Sequence, residues 1–162
     1  MSVLFTRIER SHIAPNLICP YSYACSSQSC ECCGFRACDC AFYCPAQCHC
    51  ARDYQGTFDR VNCSSSSLSL VPAYFPMSTT EILLSSNSLK RVQPYQFFGR
   101  VRLDRIDLSH NNLAFIEENS FNGLSHLKSL LLSFNELQIL LGYEFKDLVQ
   151  LEYLHLEHNK YI

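Results

Sequence analysis

An α/β solenoid with a parallel sheet on its concave side, closed at its start by a disulfide-rich cap, is the fold class this sequence predicts. Three observations predict it. Side chains recur every 24 residues from Thr79 to Ile162, period-two alternation opens each recurrence, and all eleven cysteines lie upstream, between Cys19 and Cys63.

The period is read from an asparagine column, Asn87, Asn111, Asn135 and Asn159. Three residues before each stands Leu84, Leu108, Leu132 or Leu156, and five before stands Ile82, Ile106, Leu130 or Leu154. Two residues after come Leu89, Leu113, Leu137 and Tyr161; five after, Val92, Ile116 and Leu140; ten after, Phe97, Phe121 and Phe145. Alternation at Ile106, Leu108 and at Leu130, Leu132 predicts a short strand with one buried face. The asparagine follows where the chain must turn, and its amide can satisfy backbone groups opened by the bend. Stacked asparagines then tie neighbouring coils together, while the phenylalanine column fills the far side of each coil. One coil buries too little apolar surface to offset its own ordering, so the array is expected to be stable only as a stack with protected ends.

These columns resemble the leucine-rich repeat, L-x-x-L-x-L-x-x-N-x-L, whose period range includes this one. The resemblance implies a horseshoe arc lined by a parallel sheet, with residues 79–162 forming three repeats and a truncated fourth.

Upstream, the cysteines set the expectation. Their density points to an oxidising compartment and a disulfide framework. Residues 1–18 show no strong period and are expected to be a poorly ordered remnant of a preceding module. Cys19 to Cys40 reads C-x5-C-x4-C-x-C-C-x4-C-x-C, with almost no apolar residues to build a core, so covalent links must hold it. Cys44-Pro45-Ala46-Gln47-Cys48-His49-Cys50 with Cys63 reads C-P-x-x-C-x-C-x12-C. This is similar to the N-terminal caps of extracellular leucine-rich-repeat proteins, and the similarity implies Cys44 bonded to Cys50, Cys48 bonded to Cys63, and a cap over residues 44–78. Beyond Cys63, Leu68, Leu70 and Val71 are expected to face inward, and Pro72 and Pro76 to shape the entry to the first repeat.

The run Cys30-Glu31-Cys32-Cys33-Gly34-Phe35-Arg36-Ala37-Cys38-Asp39-Cys40 through Cys44-Pro45 narrows the family. It resembles the junction in Toll receptors of the invertebrate type, where a C-terminal cap abuts the N-terminal cap of a membrane-proximal repeat block. Gly142-Tyr143-Glu144-Phe145 resembles a G-Y-E-F of the same block. Residues 19–43 then correspond to a C-terminal-cap remnant. The resemblance implies a cell-surface receptor of innate immunity or development, membrane-anchored at the extracellular face of the plasma membrane and able to dimerise, with a cystine-knot cytokine of the Spätzle type as ligand. A secreted or matrix protein of the Slit type, whose arrays also carry paired caps, is the first alternative; a metal-binding or redox cysteine module is the second.

Charge and motifs exclude other classes. The formal charge of -2 and the lack of a basic block argue against nucleic acid. Val3-Leu4-Phe5 is interrupted at Thr6 and Arg7, so no secretory leader is expected, and no stretch approaches the roughly 20 apolar residues of a membrane span. The chain is therefore expected to be a fragment of a larger extracellular protein. No Gly-x-Ser-x-Gly, phosphate loop or His-Glu-x-x-His occurs, so neither enzyme chemistry nor a cofactor is expected, and the C-x-C spacings differ from those of structural zinc sites.

The remaining functional candidates are on the strands and their turns. Arg105, Asp107, His110, Leu131, Phe134, Tyr153, His155 and Glu157 are expected to form a protein-binding concave face, aromatic and arginine side chains among small polar ones being typical of such faces. Phe134 stands out because an apolar ring on an open side calls for a cover. Asn62-Cys63-Ser64 is the one N-x-S acceptor for glycosylation.

Overall fold

A computed structural model describes residues 44–160 apart from residue 57. The expectations for residues 1–18, residues 19–43 and Tyr161 lie outside the described residues.

Six short strands form one sheet in chain order: β1 (His49–Arg52), β2 (Phe58–Asn62), β3 (Glu81–Leu83), β4 (Arg105–Asp107), β5 (Ser129–Leu131) and β6 (Tyr153–His155). β1 and β2 are an antiparallel hairpin, and every later pairing is parallel. The register is constant from coil to coil. Val61, Ile82, Ile106, Leu130 and Leu154 form one continuous row of partners. Fixed spacing in the sequence thus becomes fixed register in space.

Between strands the chain turns outward, and turns rather than α-helices fill the convex side of the described coils. Gly99 and Gly123 lie at φ 79°, and Tyr95 and Asn119 also have positive φ, so a continuous right-handed helix cannot form there. Bonds of the 3-10 type mark these turns, such as Phe98 N–H to Tyr95 O at 3.0 Å, and Tyr143–Phe145 is a short 3-10 helix.

The core is a set of columns running through the stack. Ile82, Leu84, Leu89, Val92 and Phe97 are fully buried, as are Ile106, Leu108 and Leu113 one coil later and Leu130, Leu132 and Leu137 in the next. The ring column begins one coil earlier than the period predicts. Phe75, Phe97, Phe121 and Phe145 follow one another at centroid spacings of 5.9, 6.1 and 6.4 Å, within the range of favourable ring contacts. Thr79, Leu103 and Leu127 make a further buried column, and Leu124 and Leu148 another.

The cap joins the same columns. Val61 and Cys63 are buried in line with Ile82 and Leu84, and Leu68 and Val71 in line with Leu89 and Val92. Leu70, expected to face inward, is instead 61% exposed. It precedes the buried Val71 just as Arg91, Phe115 and Ile139 precede Val92, Ile116 and Leu140, and all four residues in that position point outward. Strand alternation had ended before Leu70, so period two no longer set its direction.

Candidate protein-binding face

Everything on the concave side is positioned by the asparagine column. Asn111 Nδ2 donates to Leu84 O at 3.0 Å in the preceding coil and to Leu108 O at 3.1 Å in its own, while its Oδ1 accepts from Leu89 N–H at 3.1 Å. Asn135 repeats this with Leu108 O, Leu132 O and Leu113 N–H, and Asn159 with Leu132 O, Leu156 O and Leu137 N–H. Asn87 does the same for the cap, donating to Cys63 O and Leu84 O and accepting from both Ser66 N–H and Leu68 N–H. The four amides form one line. Each satisfies backbone groups that burial would otherwise leave without partners.

At the start of the stack, Cys44 is bonded to Cys50 and Cys48 to Cys63. Cys50 lies on β1 opposite Val61, and the Cys48–Cys63 bond reaches into the core at the fully buried Cys63. Asn62 is exposed on β2 beside Leu83, and its Oδ1 accepts from Ser64 N–H at 2.9 Å.

With Val61, Ile82, Ile106 and Leu130 buried, the strand residues on either side of them face the hollow in rows. One row is Arg60, Glu81, Arg105, Ser129 and Tyr153; another is Asn62, Leu83, Asp107, Leu131 and His155. Of the candidate residues, the sheet therefore brings together Arg105, Asp107, Leu131, Tyr153 and His155. Glu157 lies just beyond, with an oxygen 3.0 Å from His155 Nδ1. A backbone hydrogen bond first, and then the His155 side chain, hold the Glu157 carboxyl below its usual range.

His110, Phe134 and His158 do not lie on the strands. They occupy the residue just before each asparagine, all three in the left-handed region at φ 53–56°, and their rings stack at 4.2 Å on both sides of Phe134. Phe134 remains 45% exposed. Its two faces are covered by imidazoles, so it presents a ring edge, and the stack makes a wall beside the rows rather than a lone apolar anchor.

Other charges are already engaged. Arg60 Nε donates to Glu81 Oε2 at 2.6 Å, which raises the guanidinium above its ordinary value, and Lys128 pairs with Asp104 at 2.9 Å with the same effect. At the turn, Asn112 Nδ2 and Lys160 Nζ each reach Glu136 at 3.0 Å, and these bonds lower the Glu136 carboxyl, Asn112 contributing most. The equal spacing of Asn112, Glu136 and Lys160 was a signal available in the sequence. Among the described residues no His, Cys, Asp and Glu gather in a metal-holding group, and no helix is long and apolar enough to cross a membrane. The hollows here are open; one is floored by Arg105, Leu131, Tyr153 and His155.

A family model described as leucine rich repeat matches residues 78–137 and again residues 101–160, which together make half of the chain. The chain belongs to the leucine-rich-repeat family. It is 32% identical over 88 residues to Toll-like receptor 7 of Drosophila melanogaster, covering 54% of this chain and 6% of that protein. It is 33% identical over 85 residues to leucine-rich repeat-containing protein 3 of Danio rerio, covering 52% of this chain and 31% of that protein. This leucine-rich-repeat chain thus spans a minor part of the relatives it matches. The crystal structure of human 5T4 superimposes with a TM-score of 0.53 at 28% identity, over 59% of this chain and 34% of that one.

Proposed function

We propose that this chain is a non-catalytic, protein-binding segment of a Toll-type cell-surface receptor ectodomain, whose parent acts in innate immune or developmental signalling. The observation that carries the binding reading is the uncovered row surface of β3 to β6, where Tyr153 is 59% exposed and Leu131 partly exposed among charged and hydroxyl side chains. The relationship to Toll-like receptor 7 of Drosophila melanogaster and the cysteine run before Cys44 favour the receptor class. On this reading residues 44–78 are the N-terminal cap of a membrane-proximal block, residues 19–43 belong to the cap of the block before it, and Asn62 carries a glycan at the outer face of the plasma membrane.

The ligand class is a cystine-knot cytokine of the Spätzle type, bound by Arg105, Asp107, His110, Leu131, Phe134, Tyr153, His155 and Glu157. Surface binding of such a cytokine to the oxidised chain is the test. Arg105→Glu combined with Tyr153→Ala is expected to weaken it by at least about tenfold, as loss of arginine and tyrosine anchors does at protein interfaces. Phe115→Ser, at an exposed residue outside the strands, should leave it unchanged. Absence of binding, or equal binding by both variants, would overturn the assignment.

A further inference from the structure

Asp107 is a carboxylate set between two leucines. In its row the cross-strand partners are Leu83 on one side and Leu131 on the other, both partly exposed to the hollow. With neighbouring strands about 4.8 Å apart, the two leucines stand roughly 10 Å from each other with the carboxylate between them. Asp107 Oδ1 accepts from Ser109 N–H at 3.0 Å and from Ser109 Oγ–H at 2.6 Å. No lysine, arginine or histidine of the described residues forms an ion pair with Asp107. Arg105, on the same strand, has Glu81 as its cross-strand neighbour.

The fold does not require this charge. Asn62 makes the equivalent bond to Ser64 N–H with a neutral amide oxygen, and the coils of β3 and β5 carry leucine at the same position. An amide would hold the turn as well. A negative charge flanked by apolar side chains matches a long cationic side chain, whose methylene stem packs on the leucines while its head reaches the carboxylate.

We propose that Leu83, Asp107 and Leu131 form a docking site for one lysine or arginine side chain presented by a protein partner. This rests on the concave face being the binding surface, and the test separates the two ideas. Random peptides displayed on phage are selected against the oxidised chain, then measured against variants. Peptides bearing lysine or arginine should dominate, and their affinity should fall about tenfold or more on Asp107→Asn, a loss near 1.4 kcal/mol. Leu83→Ser and Leu131→Ser should weaken the same peptides. Because asparagine keeps the acceptor for Ser109, Asp107→Asn should melt with the parent chain, so lost binding is not lost folding.

Binders that depend on Tyr153 and Arg105 but show no cationic preference, or that ignore Asp107→Asn, would overturn the docking site and leave the face intact. Binders indifferent to every substitution on this side would overturn both.

Discussion

Coils in the middle of the stack are fastened by buried amides, Asn111 and Asn135, each bonded to carbonyls of two coils. In the cap coil, which precedes that of Asn87, Ser66 stands in the asparagine's place, and the fastening is the Cys48–Cys63 bond together with the β1–β2 hairpin. The columns run through both regions without a break, so what differs is the means of closure and not the core. An inner coil has a neighbour on each side to exchange hydrogen bonds with. Among the described residues the first coil has such a neighbour only on the far side, where Asn87 serves both Ser66 and Leu68. A covalent link needs no neighbour, which is why cysteine suits an end and asparagine suits an interior.

Removing each fastening in turn should break that contrast open. Asn111→Ala orphans Leu89 N–H, and it takes one of two amide donors from Leu84 O, which keeps Asn87, and from Leu108 O, which keeps Asn135; at about 1 to 3 kcal/mol for the orphaned N–H and about 1 kcal/mol for each lost bond, the loss should be roughly 3 to 5 kcal/mol. Asn87→Ala lies nearer solvent, at the seam, and should cost less. Urea denaturation of both variants measures the difference. Equal losses would mean the interior amides are no more important than the terminal one. Replacing Cys48 and Cys63 together by alanine opens a 15-residue separation and should cost about 3 kcal/mol by chain entropy. That loss should appear first as faster hydrogen exchange in β1 and β2, with β4 and β5 protected as before. Uniform loss of protection would show the stack to be one cooperative unit without a separable cap.

The sheet and its register were legible because a solenoid converts sequence period directly into spatial repetition. Ile82, Ile106 and Leu130 had to become neighbours once their spacing was equal. Columns that the first repeat breaks were harder to see. Leu103 and Leu127 align with Thr79, and Leu124 and Leu148 with Arg100, so a polar residue in each hides the apolar period. Phe75 was hidden by the shorter cap coil, which lies 22 rather than 24 residues before Phe97. The stack of His110, Phe134 and His158 was missed for another reason. Their left-handed backbone is usually marked by glycine or asparagine, and here it is imposed by the coil on residues that announce nothing.

Thr79 sharpens the comparison at the seam itself, with the smallest expected effect. It is the first residue of the column continued by Leu103 and Leu127, it is fully buried, and its Oγ1 has no hydrogen-bond partner among the described residues. Its backbone N–H is already taken by Pro76 O at 3.2 Å, so the hydroxyl does not shape the turn. Burying a hydroxyl without a partner is unfavourable, and valine has nearly the same shape without it. Thr79→Val should therefore raise stability by about 1 kcal/mol, read as a higher urea midpoint with an unchanged slope. Ser120 is the control. It too is buried, but its Oγ donates to Val92 O at 3.1 Å and Glu117 O at 2.7 Å, so Ser120→Ala should destabilise. If both substitutions lower the midpoint, Thr79 has a hydrogen-bond role at the junction of cap and repeats, and that junction is held by more than apolar columns and the bonds of Asn87.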